Sequence, residues 1–244
     1  MRGWSAVYYR ELLILRRRLP RLVGSWSVSP VLYLIAFGYA MGKGVTISGH
    51  AYMEFLIPGL VAMSSMMQAF AIGSEINIAR FYWHIFEEFQ TAPISNLAYV
   101  TGEVLAGITR AFLAVFVIIV LGVFFGVVLS YNPLFWLAIF LNSLVFSSIA
   151  VGTAMTIKSH ADQAMITSFV ITPMAFLGGT FFPVDRFPDW IQKLLHIIPL
   201  THASKAIRAS AFGEPFDPSP YLFLGLTGCL FFFASLSLVN RARD

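Results

Sequence analysis

Charge is what this chain has least of. Acids and bases together make only 11% of its 244 residues, against about 25% in an ordinary soluble domain. Hydrophobic residues make 58%, including 24 phenylalanines, and the mean hydropathy is +0.77, so the solvent for most of the chain is lipid. The formal charge of +4 does not point to nucleic acid, because the arginines stand beside apolar runs where anionic headgroups attract them. Cysteine occurs once, at Cys229 within an apolar run. One thiol excludes an intrachain disulfide and reads as a small buried filler.

Catalytic patterns are missing too. No Gly-x-x-x-x-Gly-Lys-Ser/Thr loop is present to cradle phosphates, and MGKG at 41–44 has neither that spacing nor a strand-to-helix setting. Gly-x-Ser-x-Gly is absent. Of His50, His84, His160, His196 and His202, only His196 and His202 stand near each other, at a spacing unlike a helical zinc pair. No catalytic residue, cofactor or metal is expected in this chain, so any ATP hydrolysis must come from another polypeptide.

What the chain does have is long apolar runs. A membrane-crossing helix needs roughly 20 apolar residues, and six runs qualify, near 22–41, 54–73, 111–129, 134–156, 164–182 and 221–239. The expected class is an all-α integral membrane protein with six transmembrane helices. Ahead of the first run, Trp4, Val7, Tyr8, Leu12, Leu15 and Leu19 recur at helical spacing among five arginines. That pattern predicts an amphipathic interfacial helix over 4–21 rather than a cleaved signal. With both termini in the cytoplasm, the inner segments hold eleven of the sixteen lysines and arginines, the bias that orients membrane proteins.

Two connections are too structured to be spacers. In the inner segment 74–110, Phe81, Ile85, Glu88 and Phe89 form one helical track, and Tyr82, Phe86 and Phe89 another. Aromatics at this density need an apolar cover, and a protein partner accounts best for the adjacent Glu87 and Glu88. Pro93 should stop that helix at Ala92. Helix-compatible sequence then runs from 96 to 129, about 50 Å at 1.5 Å per residue, so Glu103 and Arg110 fall in its cytoplasmic portion. Seven residues apart, they can share a face, as anchors, as a pair or in gating. Asn142, inside the fourth run, should find a helix partner worth about 1 kcal/mol, within the bundle or along a path.

The outer segment opens with GGTFFPVDRFPDW, 178–190. Its prolines and the Gly178-Gly179 pair imply irregular backbone, which at membrane depth must be shielded by protein or face an aqueous cavity. Trp190, Leu194, Ile197 and Ile198 then recur at helical spacing, Pro199 breaks the run, and a second short helix follows. This reads as a re-entrant entrance or exit, the alternative being an amphipathic cap outside the bundle.

FLGGTFFPVDRFPDWIQKLLHIIPLTHASKAIR, 176–208, resembles the signature before the last span in permease subunits of ABC-2 type exporters, especially the drug and lipo-oligosaccharide export group. YMEFLIPGLVA at 52–62, and Thr101-Gly102-Glu103 with Arg110, resemble family positions as well, so the likeness covers essentially the whole of 1–244 as one transmembrane domain. It implies a permease dimer, here a homodimer, embedded in membrane lipid and driven by two cytoplasmic ATPase subunits that bind ATP and Mg. Residues 79–92 would be the coupling helix, with Phe81, Phe86, Glu87, Glu88 and Phe89 as candidate contacts. Residues 183–212 would be outer re-entrant helices and 4–21 a connecting helix. Gly178, Gly179, Phe182, Pro183, Pro188, Trp190 and Pro199 are candidates for an outer gate, and Glu103, Arg110 and Asn142 for structural or gating roles. The implied setting is a bacterial or archaeal plasma (inner) membrane, and the implied function is export of an amphiphilic, lipid-linked or polysaccharide-like molecule or a drug. The other classes are an ion-driven secondary transporter or channel, for which the midspan lacks charge, and a membrane scaffold or sensor bound to an ATPase.

Overall fold

The computed structural model describes residues 3–47 and 49–242, leaving aside the side chains of Met41, Glu87 and Gln90. The chain folds as an all-α membrane protein whose described strands are two short ones. Helix α1 (Gly3–Tyr33) runs into a π-helical turn, Leu34–Met41. A small hairpin follows, β1 (Thr46–Ile47) antiparallel to β2 (His50–Ala51) with Thr46 opposite Ala51. Then come α2 (Tyr52–Phe81), the short α3 (Ile85–Thr91), α4 (Asn96–Phe124) and α5 (Pro133–Thr156). The next rod has three pieces, α6 (His160–Ile166), a π turn (Thr167–Ile171) and α7 (Thr172–Leu177). A 3-10 turn (Val184–Arg186), α8 (Asp189–Leu195), α9 (Pro199–Phe212) and α10 (Pro218–Arg241) complete the chain.

Helix starts follow local chemistry. Ser95 accepts from the Ala98 N–H at 3.2 Å, Asn132 from Phe135 at 2.9 Å and Asp217 from Ser219 at 2.9 Å, each satisfying an orphan donor of a first turn. Pro133, Pro199 and Pro218 open α5, α9 and α10, where a missing N–H costs nothing. Gly213, at φ 70°, closes α9.

Among the described residues, five helical segments are long and apolar enough to cross a membrane: Gly3–Ala40, α2, α4, α5 and α10. Helix α2 is the axis, with 83% of its most apolar stretch buried against 22% for those of α1 and α10. It packs on α4, α5 and α9, while α1 covers α4 and α10 covers α5. On α10, Leu222, Leu226, Leu230 and Phe233 are exposed at helical spacing, a face suited to lipid. Cys229 is exposed as well, so the thiol expected as buried filler points out of the bundle instead.

Three expectations need correction. The interfacial helix 4–21 and the first span are one helix, continuous through Pro20 and Pro30. A proline fits helical φ and removes a single ladder bond, and within the expected apolar stripe Val7 is buried, facing Gly102 of α4, while Trp4 is exposed. A Cβ on Gly102 would stand 2.7 Å from the Val7 Cβ, so glycine permits that close helix approach. The third span ends at Phe124 rather than 129, because the chain turns at Gly126 with φ 81°. The expected span 164–182 is the α6 to α7 rod, about 27 Å over its 18 residues at 1.5 Å each. Pro173 displaces the carbonyl four residues earlier, which falls inside the π turn.

Candidate functional sites at the two ends of the bundle

The first site lies where α1 begins and α2 ends. Helix α2 runs through Phe81 and stops at an elbow whose His84 has a left-handed φ of 53°. After the elbow, α3 ends at Thr91 with Ala92 in extended backbone, as a residue before proline prefers. Two bonds seat the end of α2 against the end of α5: Asn77 Nδ2 donates to the Ile157 carbonyl at 2.6 Å, and Arg80 Nη1 to that of Met155 at 2.6 Å.

Helix α3 turns its aromatics inward. Phe86 is buried, edge-on to Tyr99 at 5.4 Å and 5.0 Å from the Arg80 guanidinium. Phe89 also meets Tyr99 at 5.4 Å and lies under Arg10. The cover expected from a partner is therefore supplied for these two rings by α1, α2 and α4 of the same chain. Phe81 ends α2 and stacks with Arg80 at 4.8 Å; Glu88 is exposed, and the Glu87 side chain lies outside the described residues. The aromatics left open are at the elbow, Tyr82 at 82% and Trp83 at 54% exposure. Sequence periodicity placed Tyr82 on a track with Phe86, but the elbow breaks that helical phase.

Behind α3 is a cavity of about 380 Å³, walled by α1, α2, α3 and α4. Glu75 and Glu103 reach it from α2 and α4, Arg10, Glu11 and Arg18 from α1. Arg10 pairs with Glu11. Arg110 does not meet Glu103; it donates to Glu75 at 2.6 Å, with Arg18 3.9 Å from the same carboxylate oxygen. Glu103 is 2% exposed and its Oε2 has no hydrogen-bond partner.

Asn142 is fully buried at the α2–α5 contact, where its Nδ2 donates to the Ala62 carbonyl at 3.1 Å and to Ser65 Oγ at 2.8 Å. Ser143 and Ser147 donate back into their own helix at 2.7 Å each. Of these midspan polar groups, Asn142 is the one that ties α5 to α2.

The opposite end is a plug. After α7 the segment 178–181 folds back between α2 and α9, with Gly178, Gly179, Thr180 and Phe181 all buried. Gly179 has φ 79°, a conformation that favours glycine. Gly59 of α2 packs so closely on the Thr180 backbone that any Cβ there would overlap it. Phe181 lies about 5.1 Å from the rings of Tyr33, Phe37 and Phe176. Its carbonyl accepts from the Tyr52 hydroxyl at 3.0 Å, and the Gly178 carbonyl from Ser204 at 2.6 Å.

One cation closes this end. Arg208 of α9 donates to the Gly179 carbonyl at 2.9 Å and lies 3.8 Å over the Phe55 ring. Burial pulls its pKa down to about 10, against the opposite influence of Glu214 and Asp185. Arg208 is not among the expected gate residues, although Thr201, Ser204 and Arg208 recur at i, i+3 and i+7, a polar stripe that could have named it. Of the expected gate residues, Gly178, Gly179 and Pro199 belong to the buried plug, with Pro199 opening α9. Phe182, Pro188 and Trp190 are exposed and Pro183 is half-buried, so these lie on the rim.

The two histidines do come together: His202 Nε2 donates to the His196 carbonyl at 2.8 Å, and the His202 ring stacks on Phe223. Burial lowers the His202 pKa. Lys205 is hydrogen-bonded to Asp217 at 2.8 Å and holds that carboxyl well below the usual range. Among the described residues, no group of three His, Cys, Asp or Glu is placed to hold a metal ion.

Comparison with known proteins matches this architecture to one family. The ABC-2 type transporter pattern fits residues 2–212. Nodulation protein J of Neorhizobium galegae is 30% identical over a 255-residue alignment covering 98% of this chain and 93% of its own. Inner membrane transport permease YadH of Escherichia coli K12 is 28% identical over 221 residues, 88% of this chain and 86% of its own. Nodulation protein J of Azorhizobium caulinodans is 28% identical over 91% of this chain and 89% of its own. The chain belongs to the ABC-2 type transporter family and is a membrane-spanning subunit of an ABC transporter, a class that works with an ATPase partner.

Proposed function

We propose that this chain is the permease half of an ATP-driven exporter, a homodimer working with two copies of a cytoplasmic ATPase in a bacterial plasma membrane. The cargo class is an amphiphilic, lipid-linked or polysaccharide-like molecule or a drug, moved out of the cytoplasm or inner leaflet. The transport permease of the Escherichia coli inner membrane supports the setting. Charge supports a cytoplasmic orientation for the α3 end, because Arg10, Arg16, Arg17, Arg18, Arg21, Arg80, Lys158 and Arg241 gather toward it. ATP and Mg belong to the partner. The exposed apolar residues Leu32 and Ile35 of the first rod and Phe169 and Phe176 of the α6 to α7 rod are offered to the second permease copy.

The observation that carries the coupling role is the open aromatic pair at the elbow, Tyr82 and Trp83, on the end that also carries the arginines. Aromatic anchors of this kind dominate protein interfaces. Closure of an ATPase dimer would push on α3, and through Phe86, Phe89 and Tyr99 on the start of α4.

The experiment is co-reconstitution with the cognate ATPase in proteoliposomes. Replacing Tyr82 and Trp83 together by serine is expected to lower permease-stimulated ATP hydrolysis at least tenfold, with insertion and expression unchanged. Unaltered stimulation would remove the elbow from the coupling surface. Transport that persists after every ATPase is removed would overturn the whole reading and favour an ion-driven carrier.

A further inference from the structure

We propose that the cavity behind α3 is a binding site for a monovalent organic cation with an apolar body. Four observations converge there. The cavity holds about 380 Å³, within the range of small-molecule sites. Glu103 lines it, is 2% exposed, and leaves Oε2 without a hydrogen-bond partner. Such a carboxylate in a mostly apolar wall calls for a positive group to complete it. The remaining walls include the rings of Trp83 and Tyr99, whose faces attract weakly hydrated cations, while Phe86 and Phe89 already carry Arg80 and Arg10.

The arginines already at the cavity are engaged elsewhere. Arg10 pairs with Glu11, Arg18 lies toward Glu75, and Arg80 donates to the Met155 carbonyl while resting on Phe81 and Phe86. Glu75 is bonded to Arg110. Glu103 is thus the acidic anchor left for a ligand, and one unpaired carboxyl beside aromatic rings suits a quaternary ammonium better than a hard divalent metal, which takes six or more oxygens or a shell of water. The site lies beside α3, so an occupant would wedge the coupling segment against α4. The proposal stands whether or not the elbow docks an ATPase.

The test uses the full chain in lipid nanodiscs, alone and assembled with its ATPase, and radiolabelled benzyltrimethylammonium as probe. Saturable binding is expected in both preparations, with its uncharged isostere neopentylbenzene failing to compete. Glu103→Gln should weaken binding at least tenfold. Should that variant fail to give monodisperse protein, Trp83→Leu decides, with an expected loss of about threefold or more from one cation–π face. Unchanged affinity in whichever variant folds, equal competition by the neutral isostere, or no saturable binding would overturn the proposal. Binding seen in the isolated permease but lost in the assembled complex would overturn it too, and would give Glu103 to a basic side chain of the ATPase.

Discussion

The two ends of this bundle are closed by different chemistry. At the α9 end, the chain's own backbone fills the gap: carbonyls of Gly178, Gly179 and Phe181 accept from Ser204, Arg208 and Tyr52, and Phe181 sits among three other rings. At the α3 end, acidic and basic side chains from α1, α2 and α4 surround a cavity, and the covering helix is seven residues long. Backbone packed on backbone has one arrangement, because small shifts there produce overlap. Long charged side chains around a void can exchange partners at modest cost. The contrast teaches where a transporter subunit can be pushed: the α3 end can yield to a partner while the α9 end resists until a larger rearrangement releases it.

The sharpest way to break the comparison is at Gly59. A valine there must displace the Thr180 backbone, not a flexible side-chain tip. Overpacking of this kind costs about 3 kcal/mol or more when no side chain can move aside. Gly59→Val is expected to give the largest drop in thermal stability of any single change considered, read by thermal unfolding of detergent-purified protein. Near-wild-type stability would show that the plug is as adaptable as the opposite end.

A middle-sized effect should come from the charged end. Arg110→Ala leaves Glu75 with Arg18 at 3.9 Å as its neighbouring cation. Fully buried pairs lose 3–5 kcal/mol when one partner is removed, but the Glu75 side chain is 32% exposed. Loss of one hydrogen bond between charged groups, about 2 kcal/mol, is the expected cost. The double variant with Glu75→Gln should recover part of it, since the orphaned carboxylate is then gone. An Arg110→Ala protein as stable as wild type would show that Arg18 replaces it fully, and would make this end still more permissive.

Much of the fold was readable because its signals are local. Runs of apolar residues located the long helices, Pro93 set the end of α3, and Pro199 separated α8 from α9. What stayed hidden depends on neighbours that sequence spacing does not name. Phe86 and Phe89 announced an apolar face, yet their cover is Tyr99 and Arg10, many residues away in either direction. Glu103 and Arg110 share a helix at two-turn spacing, but the arginine prefers a carboxylate from α2. The division expected between 4–21 and the first span is absent, because α1 continues through Pro20 and Pro30 and packs Val7 against Gly102 of α4. Phe181 looked like the tail of a span, and the chain reversal at Gly179 turns it into the centre of the plug.

The smallest expected effect sharpens the comparison through pH. His202 sits on α9 beside the plug, with its ring stacked on Phe223 and its Nε2–H on the His196 carbonyl. Burial is the leading cause of its lowered pKa; the His196 ring and Lys205 push the same way, and the His196 backbone bond and Asp217 oppose them. The folded chain therefore favours neutral His202, whereas the unfolded chain takes up a proton near the ordinary value of 6.5. Stability from this group is fully present above pH 6.5 and is lost as pH falls from there toward the folded value. Hydrogen exchange of α8 and α9 should accelerate on acidification below 6.5, while exchange in α3 does not follow the same curve. His202→Phe keeps the stacking surface and removes the titration, so its α8–α9 exchange should respond less to acid than that of wild type. An equal response in both proteins would assign the acid sensitivity of this end to other groups and leave His202 as a packing residue alone.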